Sequence, residues 1–366
     1  MDFGKDFAIL GYRKHLNMMK KISLMVALFM FAAGLSAQEV DNSLIPYRKG
    51  DKWGYATPDK KVVIQPKYTE AGWFSEGLAA VRVGNKWGYI NKSGKMVIPA
   101  RYTVAKSFRK GYMPSKTNAE GIPVIFAGAS LTKDGYEICI TEKGVRMPQC
   151  PAIPESSVEQ NQRPVASVQV RKTYTMPNSE GLFDKIIDDY QVDGSNETYY
   201  IAVKGNRYGV YNSKFEEVVP FTYDSIRVNR QSKTPFLEVA KNGMKGIVLT
   251  NGTVGIEPVN SSLMPVTTND GAEYVIVKKD GKTYVRDFRN KDLIAKGYND
   301  IVYDKNGGFV ITGDNAFKGY YFLDNNVIEP KYKEIQLMDG GQYLQITTNT
   351  GKVGYISTTG DEYFDE

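Results

Sequence analysis

Bulky apolar residues alternate with polar ones in short runs along this chain, and the runs come in pairs broken by turn residues. Residues 86–98 show the form: KWGYIN alternates, Lys92-Ser93-Gly94 interrupts, and MVIP resumes. This pattern predicts a β-hairpin. Ser93-Gly94, Asn251-Gly252, Asn325-Asn326 and Thr359-Gly360 are residues able to supply the positive φ that tight hairpins need. A proline follows the second run at Pro66, Pro99, Pro220, Pro258 and Pro330. Lacking an N–H, it marks a strand end or a sheet edge.

The pattern repeats. GDKWGYATPDKKVVIQPKY at 50–68 and GNKWGYINKSGKMVIPARY at 84–102 start 34 residues apart and share nine of nineteen positions. Weaker copies occupy 205–223, 242–260, 280–298, 314–332 and 350–363, and a faded one 134–148. A second half follows each, for example TEAGWFSEGLAAVRV after Tyr68 and NDIVYDKNGGFVITG after Tyr298. The count is eight units, starting near 50, 84, 134, 173, 205, 242, 280 and 314, plus a partial ninth; 117–204 is irregular, and 117–133 reads as an insertion. Units of 34–39 residues predict an all-β repeat domain over 38–366, each unit a small sheet whose faces are hidden by its neighbours. The two arrangements this allows are a β-propeller-like ring, closed by a sheet shared between SLIPYRK (43–49) and the chain end, and an open β-solenoid. Glycines inside the strands, Gly54, Gly88 and Gly209, predict a close approach, read here as the joint between neighbouring units.

The units resemble the WG-repeat (KWG-repeat) family of bacterial proteins. The resemblance is carried by Lys52-Trp53-Gly54-Tyr55 and Lys86-Trp87-Gly88-Tyr89, with echoes at Tyr208-Gly209, Lys245-Gly246, Lys318-Gly319 and Val353-Gly354. Only two units keep the tryptophan. The resemblance implies architecture more than activity.

Residues 18–37, MMKKISLMVALFMFAAGLSA, have the form of a secretory signal peptide: two lysines, an apolar run from Ile22 to Leu35, and small residues before a cut between Ala37 and Gln38. The run is shorter than the ~20 residues of a spanning helix. Asp2 and Asp6 sit oddly ahead of it, so Met18 or Met19 is the expected translation start. Of 47 basic and 41 acidic residues, cleavage removes five and two, leaving a net charge of +3 spread through the turns. That balance gives no argument for nucleic acid or an anionic membrane, and no nucleic-acid partner is expected. Export to the periplasm, outer cell surface or medium follows, and the leader has a Bacteroides-type style.

The sole histidine, His15, leaves with the leader. Without it, a Ser-His-Asp triad, a Cys-His pair and a histidine metal site are excluded. Cys139 and Cys150 are the only cysteines, and export makes them a candidate disulfide across the faded hairpin. Asp304-x-Asn306-x-Gly308 begins like a calcium loop, but the twelfth position is Asn315, so it reads as a turn. Asp188-Asp189 and Glu216-Glu217 are neighbours in sequence only, and adjacent strand residues point to opposite faces. No metal and no cofactor is expected. Trp53, Trp73, Trp87, Tyr55 and Tyr89 remain as candidate binding residues. Their first reading is packing, with a sugar- or peptide-stacking face as the alternative. Trp73 stands apart because it lies outside the repeated pattern.

The reading that results is an exported, non-catalytic repeat protein offering a surface to protein, peptide or glycan. The alternatives are a carboxylate-dependent glycan-active enzyme on a propeller scaffold and a purely structural envelope component.

Overall fold

The computed structural model describes residues 42–115, 121–132, 136–153, 181–192 and 197–365. The leader, with Met18, Met19, His15 and the Ala37–Gln38 cut, and the start of the unit expected near 173 lie outside the described residues. The described residues form strands and turns without a helix. The fold is all-β, built of successive antiparallel sheets, most of them four-stranded.

Two compact units divide the chain. The first contains the hairpin Lys52–Ala56/Val62–Tyr68 and a sheet of Glu70–Ser75, Leu78–Val83, Lys86–Asn91 and Met96–Tyr102. Its last sheet combines Val104–Ala105, Arg109–Met113, Ile122–Ser130 and Ile138–Ile140. The second unit has four sheets of four strands spanning 185–223, 225–260, 262–298 and 300–332, then a three-stranded one over 334–357. In that unit Arg48 and Lys49 also pair in parallel with Phe364 and Asp365.

Sequence repeat and sheet are out of phase. A sheet was expected to match one unit beginning at a KWGY-type run. Instead the two-residue turn at Gly84-Asn85 (φ of Gly84 is 61°) closes a hairpin, pairing Leu78–Val83 with Lys86–Asn91. The KWGY run is therefore the third strand of its sheet. The chain leaves a sheet at Tyr68, Tyr102, Tyr223, Tyr298 and Tyr332, where no hairpin turn follows. Each sequence unit thus straddles two sheets and ties them covalently.

The strand glycines also do something other than expected. Trp87 pairs with Tyr102 and Tyr89 with Ile98, so the fourth strand bulges, with three of its residues opposite Gly88 alone. A Cβ on Gly88 would stand 2.6 Å from the Ile98 carbonyl oxygen and 2.7 Å from the Ala100 nitrogen. On Gly246 it would meet Ile256 O at 2.6 Å and Pro258 N at 2.7 Å. The approach is made by the same sheet's own edge, not by a neighbouring unit. The prolines sit inside this bulged edge strand rather than at its end. There the missing N–H removes a donor that would face no partner.

Packing between successive sheets supplies the cores. One cluster joins Tyr55, Ile64 and Tyr68 to Phe74, Val81 and Ile90. Another joins Ile201, Val210 and Tyr223 to Ile226, Leu237 and Val239. Tyr55 donates to the Gly72 carbonyl at 2.8 Å and Tyr89 to the Lys106 carbonyl at 2.8 Å, the same seventeen-residue reach in both repeats. Their rings lie 4.8 Å from Phe74 and 4.9 Å from Phe108.

Candidate functional site: a groove on an extended hairpin

The last sheet of the first unit departs from the repeat. Residues read in sequence as an insertion supply its second strand, Ile122–Ser130, nine residues long. Its first strand is broken into Val104–Ala105 and Arg109–Met113, and both pieces pair with that long strand. Arg109–Met113 and Ile122–Phe126 therefore form a hairpin that runs past the end of the third strand, Ile138–Ile140.

The two faces of this hairpin differ. Tyr112 pairs with Pro123 and Lys110 with Ile125, which places these four side chains on one face. The other face carries Phe126, with the Arg109 guanidinium 5.8 Å from its ring centre. The chain's own segment Pro151–Ala152 runs along the outer edge of Arg109–Met113 and reaches this second face at Gly111. Tyr112 and Ala152 exchange backbone hydrogen bonds of 2.8 and 2.9 Å. A Cβ on Gly111 would lie 2.9 Å from the Ala152 oxygen and 2.5 Å from the Phe126 ring, so only glycine lets this segment approach. The first face is open. It forms one wall of a groove of about 570 Å³, lined with Lys110, Tyr112, Pro123 and Ile125 and closed on the far side by Thr141, Glu142 and Met147. This volume falls within the range of ligand-sized sites. Tyr112, Ile122, Val145 and Ile153 nearby expose 37%, 53%, 61% and 52% of their surface.

Cys139 and Cys150 are disulfide-bonded. The bridge fastens the segment after Met147 to the third strand, next to the Met147 N–H bond to the Cys139 carbonyl (2.8 Å). The loop between is a turn, with Thr141 N–H on Val145 O at 2.9 Å and Arg101 donating to Gly144 O at 2.8 Å.

The aromatic candidates lie elsewhere. Tyr55 and Tyr89 are wholly buried, and Trp73 is 9% exposed within Glu70–Ser75. Burial makes these three core residues and leaves them no face for a ligand. Trp53 and Trp87 are half-buried, opposite Tyr68 and Tyr102, and pack on the same cores. Tyr208 holds the equivalent place opposite Tyr223. Gly209 faces the Phe221 ring and Gly354 the Phe364 ring. Asp188 is engaged by Arg230 (3.1 Å), and Glu216 accepts from Asn212 (2.7 Å). Asp304 accepts from the Asn306 N–H at 3.0 Å in a turn. Among the described residues no group of three or more His, Cys, Asp or Glu could hold a metal, and no helix is long and apolar enough to cross a membrane. Sequence reasoning missed the groove residues. Their only signal was the break in the repeat between 117 and 133.

Among solved structures, the chain is similar to a eukaryotic initiation factor (13% identity, TM-score 0.32, 88% of this chain and 95% of that one). It is also similar to the dihydro-heme d1 dehydrogenase NirN in complex with DHE (11%, 0.30, 90% and 75%). A third likeness is the C-terminal WD40 domain of Sif2 (12%, 0.26, 87% and 93%). All three TM-scores lie below 0.5, and the fold assignment stands on the sheets themselves. No curated protein matches the chain. The family model described as "WG containing repeat" matches residues 53–87, 87–114 and 208–243. Trp53, Trp87 and Tyr208 open these three matches, so three segments of the chain match the WG containing repeat.

Proposed function

We propose that this chain is an exported, non-catalytic repeat protein that holds part of another macromolecule in the groove of its extended hairpin. The observation that carries the reading is the contrast between the hairpin's two faces. One holds the buried Phe126 and meets Pro151–Ala152 at Gly111, while on the other Tyr112 is exposed and Ile125, partly packed on the neighbouring core, still lines the groove. Exposed apolar surface beside a groove of this size is characteristic of recognition sites. The lining is mainly apolar, with Lys110, Thr141 and Glu142 as its polar members. It suits a polypeptide better than a glycan, which needs many hydrogen-bonding groups. The Cys139–Cys150 bridge and the basic–apolar–small form of residues 18–37 support export.

The test compares purified wild-type protein with Ile125→Glu on a random-peptide phage library and on an array of bacterial polysaccharides. Peptides rich in apolar residues are expected to bind the wild type and to bind the variant at least about tenfold less. Unchanged circular dichroism would show that the variant is folded. Peptides that bind both proteins equally, or polysaccharides as the only ligands, would overturn the reading.

A further inference from the structure

The sheet that carries the groove lacks part of a strand. In a regular sheet the second strand is paired on both sides along its length. Phe236–Lys241, for example, has partners from Phe236 to Ala240 in the first strand and from Phe236 to Lys241 in the third. In the hairpin sheet the third strand is only Ile138–Ile140, and it pairs with Ala127, Gly128 and Ala129. Beyond Ala127, residues Ile122–Phe126 have a strand on one side only among the described residues.

Backbone alternation shows which groups this leaves free. The Cys139 carbonyl accepts from the Met147 N–H, so Cys139 faces away from the second strand, and Ile138 and Ile140 face toward it. Their partners Ala129 and Ala127 must then point toward the third strand, and by the two-residue period so do Ile125 and Pro123. An independent pair of bonds agrees: Lys106 N–H donates to Gly128 O and Thr103 N–H to Ser130 O (both 2.8 Å), on the first-strand side. Tyr112 exchanges its bonds with Ala152 rather than with the second strand. That leaves Gly111 and Arg109 to bond Val124 and Phe126. The open side therefore presents the Ile125 N–H, the Ile125 C=O and the Pro123 C=O. These groups edge the same groove that Thr141, Glu142 and Met147 close on its far side.

We propose that this edge is a docking slot for an extended polypeptide segment of a partner protein. The segment adds as a strand beside Pro123–Ile125, where Ile138–Ile140 stops. The inference rests on the groove reading above and gives its occupant a backbone geometry. An extended polypeptide is the one ligand whose own N–H and C=O groups repeat at the spacing of a strand edge. Pro123, with no N–H, limits the slot to one donor and two acceptors, so the added strand is short. Affinity would come jointly from these bonds and from apolar side chains against Tyr112 and Ile125.

The decisive measurement is amide hydrogen exchange, by NMR, on the full protein. The probe is the synthetic form of the tightest peptide from the phage library. Saturation is expected to slow exchange of the Ile125 amide at least about tenfold while the Val124 and Phe126 amides, already bonded to Arg109–Met113, hold steady. N-methylation of the peptide at the residue facing Ile125 C=O is expected to weaken binding about tenfold or more, with the side chains unchanged. A peptide that binds, loses affinity on Ile125→Glu, and leaves the Ile125 amide unaltered would overturn strand addition and leave the groove reading standing. A library that yields no peptide would overturn both. Protection of Ile125 that rises with protein concentration and without peptide would identify a second copy as the occupant and overturn the partner assignment.

Discussion

Gly88 has a φ that any residue can adopt, yet no other residue fits there. The constraint is the bulge of the neighbouring strand, whose backbone would stand 2.6–2.7 Å from a Cβ. Backbone atoms cannot swing aside as a side-chain tip can, so Gly88→Ala is expected to cost about 1–3 kcal/mol by overpacking. Gly72 is the matched control: a Cβ there would meet Ala80 O at 3.5 Å, ordinary contact. Gly72→Ala should change stability by less than about 0.5 kcal/mol. Chemical denaturation of the two variants tests the pair, and equal losses would refute the bulge argument. The sheet at 262–298 shows the same constraint met differently. Thr283 and Tyr284 stand where the sheet at 70–102 has Trp87 and Gly88, and the glycine has moved to Gly297 on the bulged strand. A Cβ on Gly297 would meet the Tyr284 hydroxyl at 2.8 Å, so the crowding needs one glycine on either side. Tyr89→Phe belongs at this scale too. Its hydroxyl is spent on the Lys106 carbonyl, and losing it should cost about 1 kcal/mol, read as a lowered denaturation midpoint with an unchanged slope.

At the scale of elements, hairpins, turns and the repeat period were legible because each is local: alternation, a turn pair, an edge proline. The phase of the sheets was not. Which two hairpin halves share a sheet depends on Gly84-Asn85 being a tight turn while Thr69 is a crossing, and both read as short breaks between apolar runs. The role of the WG glycine was misassigned for a related reason, since the bulge pressing on it is a register effect between strands. The groove was least legible. It arises where one strand is too short, and a strand's absence leaves no pattern in the sequence. The cysteines were legible from export and spacing. What the bridge does was not, because Ala152 reaches Tyr112 only through the fold. The double variant Cys139→Ser/Cys150→Ser is expected to cost about 2–4 kcal/mol, the range for closing a loop of this order. Hydrogen exchange should place the loss locally: the Tyr112 and Ala152 amides should exchange faster, while Val81 and Ile90 in the preceding sheet stay protected. Uniform loss across both sheets would mean that the bridge supports the whole unit.

At the scale of the molecule, the second unit joins distant parts of the chain, and the join is sensitive to alkali. Arg48, 3% exposed, donates to Val353 O and to Gly50 O at 2.7 Å and lies 5.5 Å above the Phe364 ring. Phe364 in turn fills the notch left by Gly354, the last of the WG-type glycines. Beside them the Tyr47 hydroxyl bonds the Asp365 carboxylate. Burial, then that hydrogen bond, then the carboxylate's charge push the Tyr47 hydroxyl from its ordinary 10 up to about 12. A folded-state pKa above the unfolded one means the neutral tyrosine favours the folded join. Its contribution is complete below pH 10 and is lost as pH rises from 10 through about 12. The hydroxyl is largely solvent-exposed, so the effect is modest and screened by salt. Tyr47→Phe removes this titration while keeping the ring. The stability of wild type relative to the variant should be flat with pH below 10 and should turn against wild type between 10 and 12. Other tyrosines titrate alike in both proteins and cancel in the difference. A difference that stays constant across that window would show that the Tyr47–Asp365 bond does not persist in solution, and that the join is held by the pairing of Arg48 and Lys49 with Phe364 and Asp365 and by the Arg48 side chain.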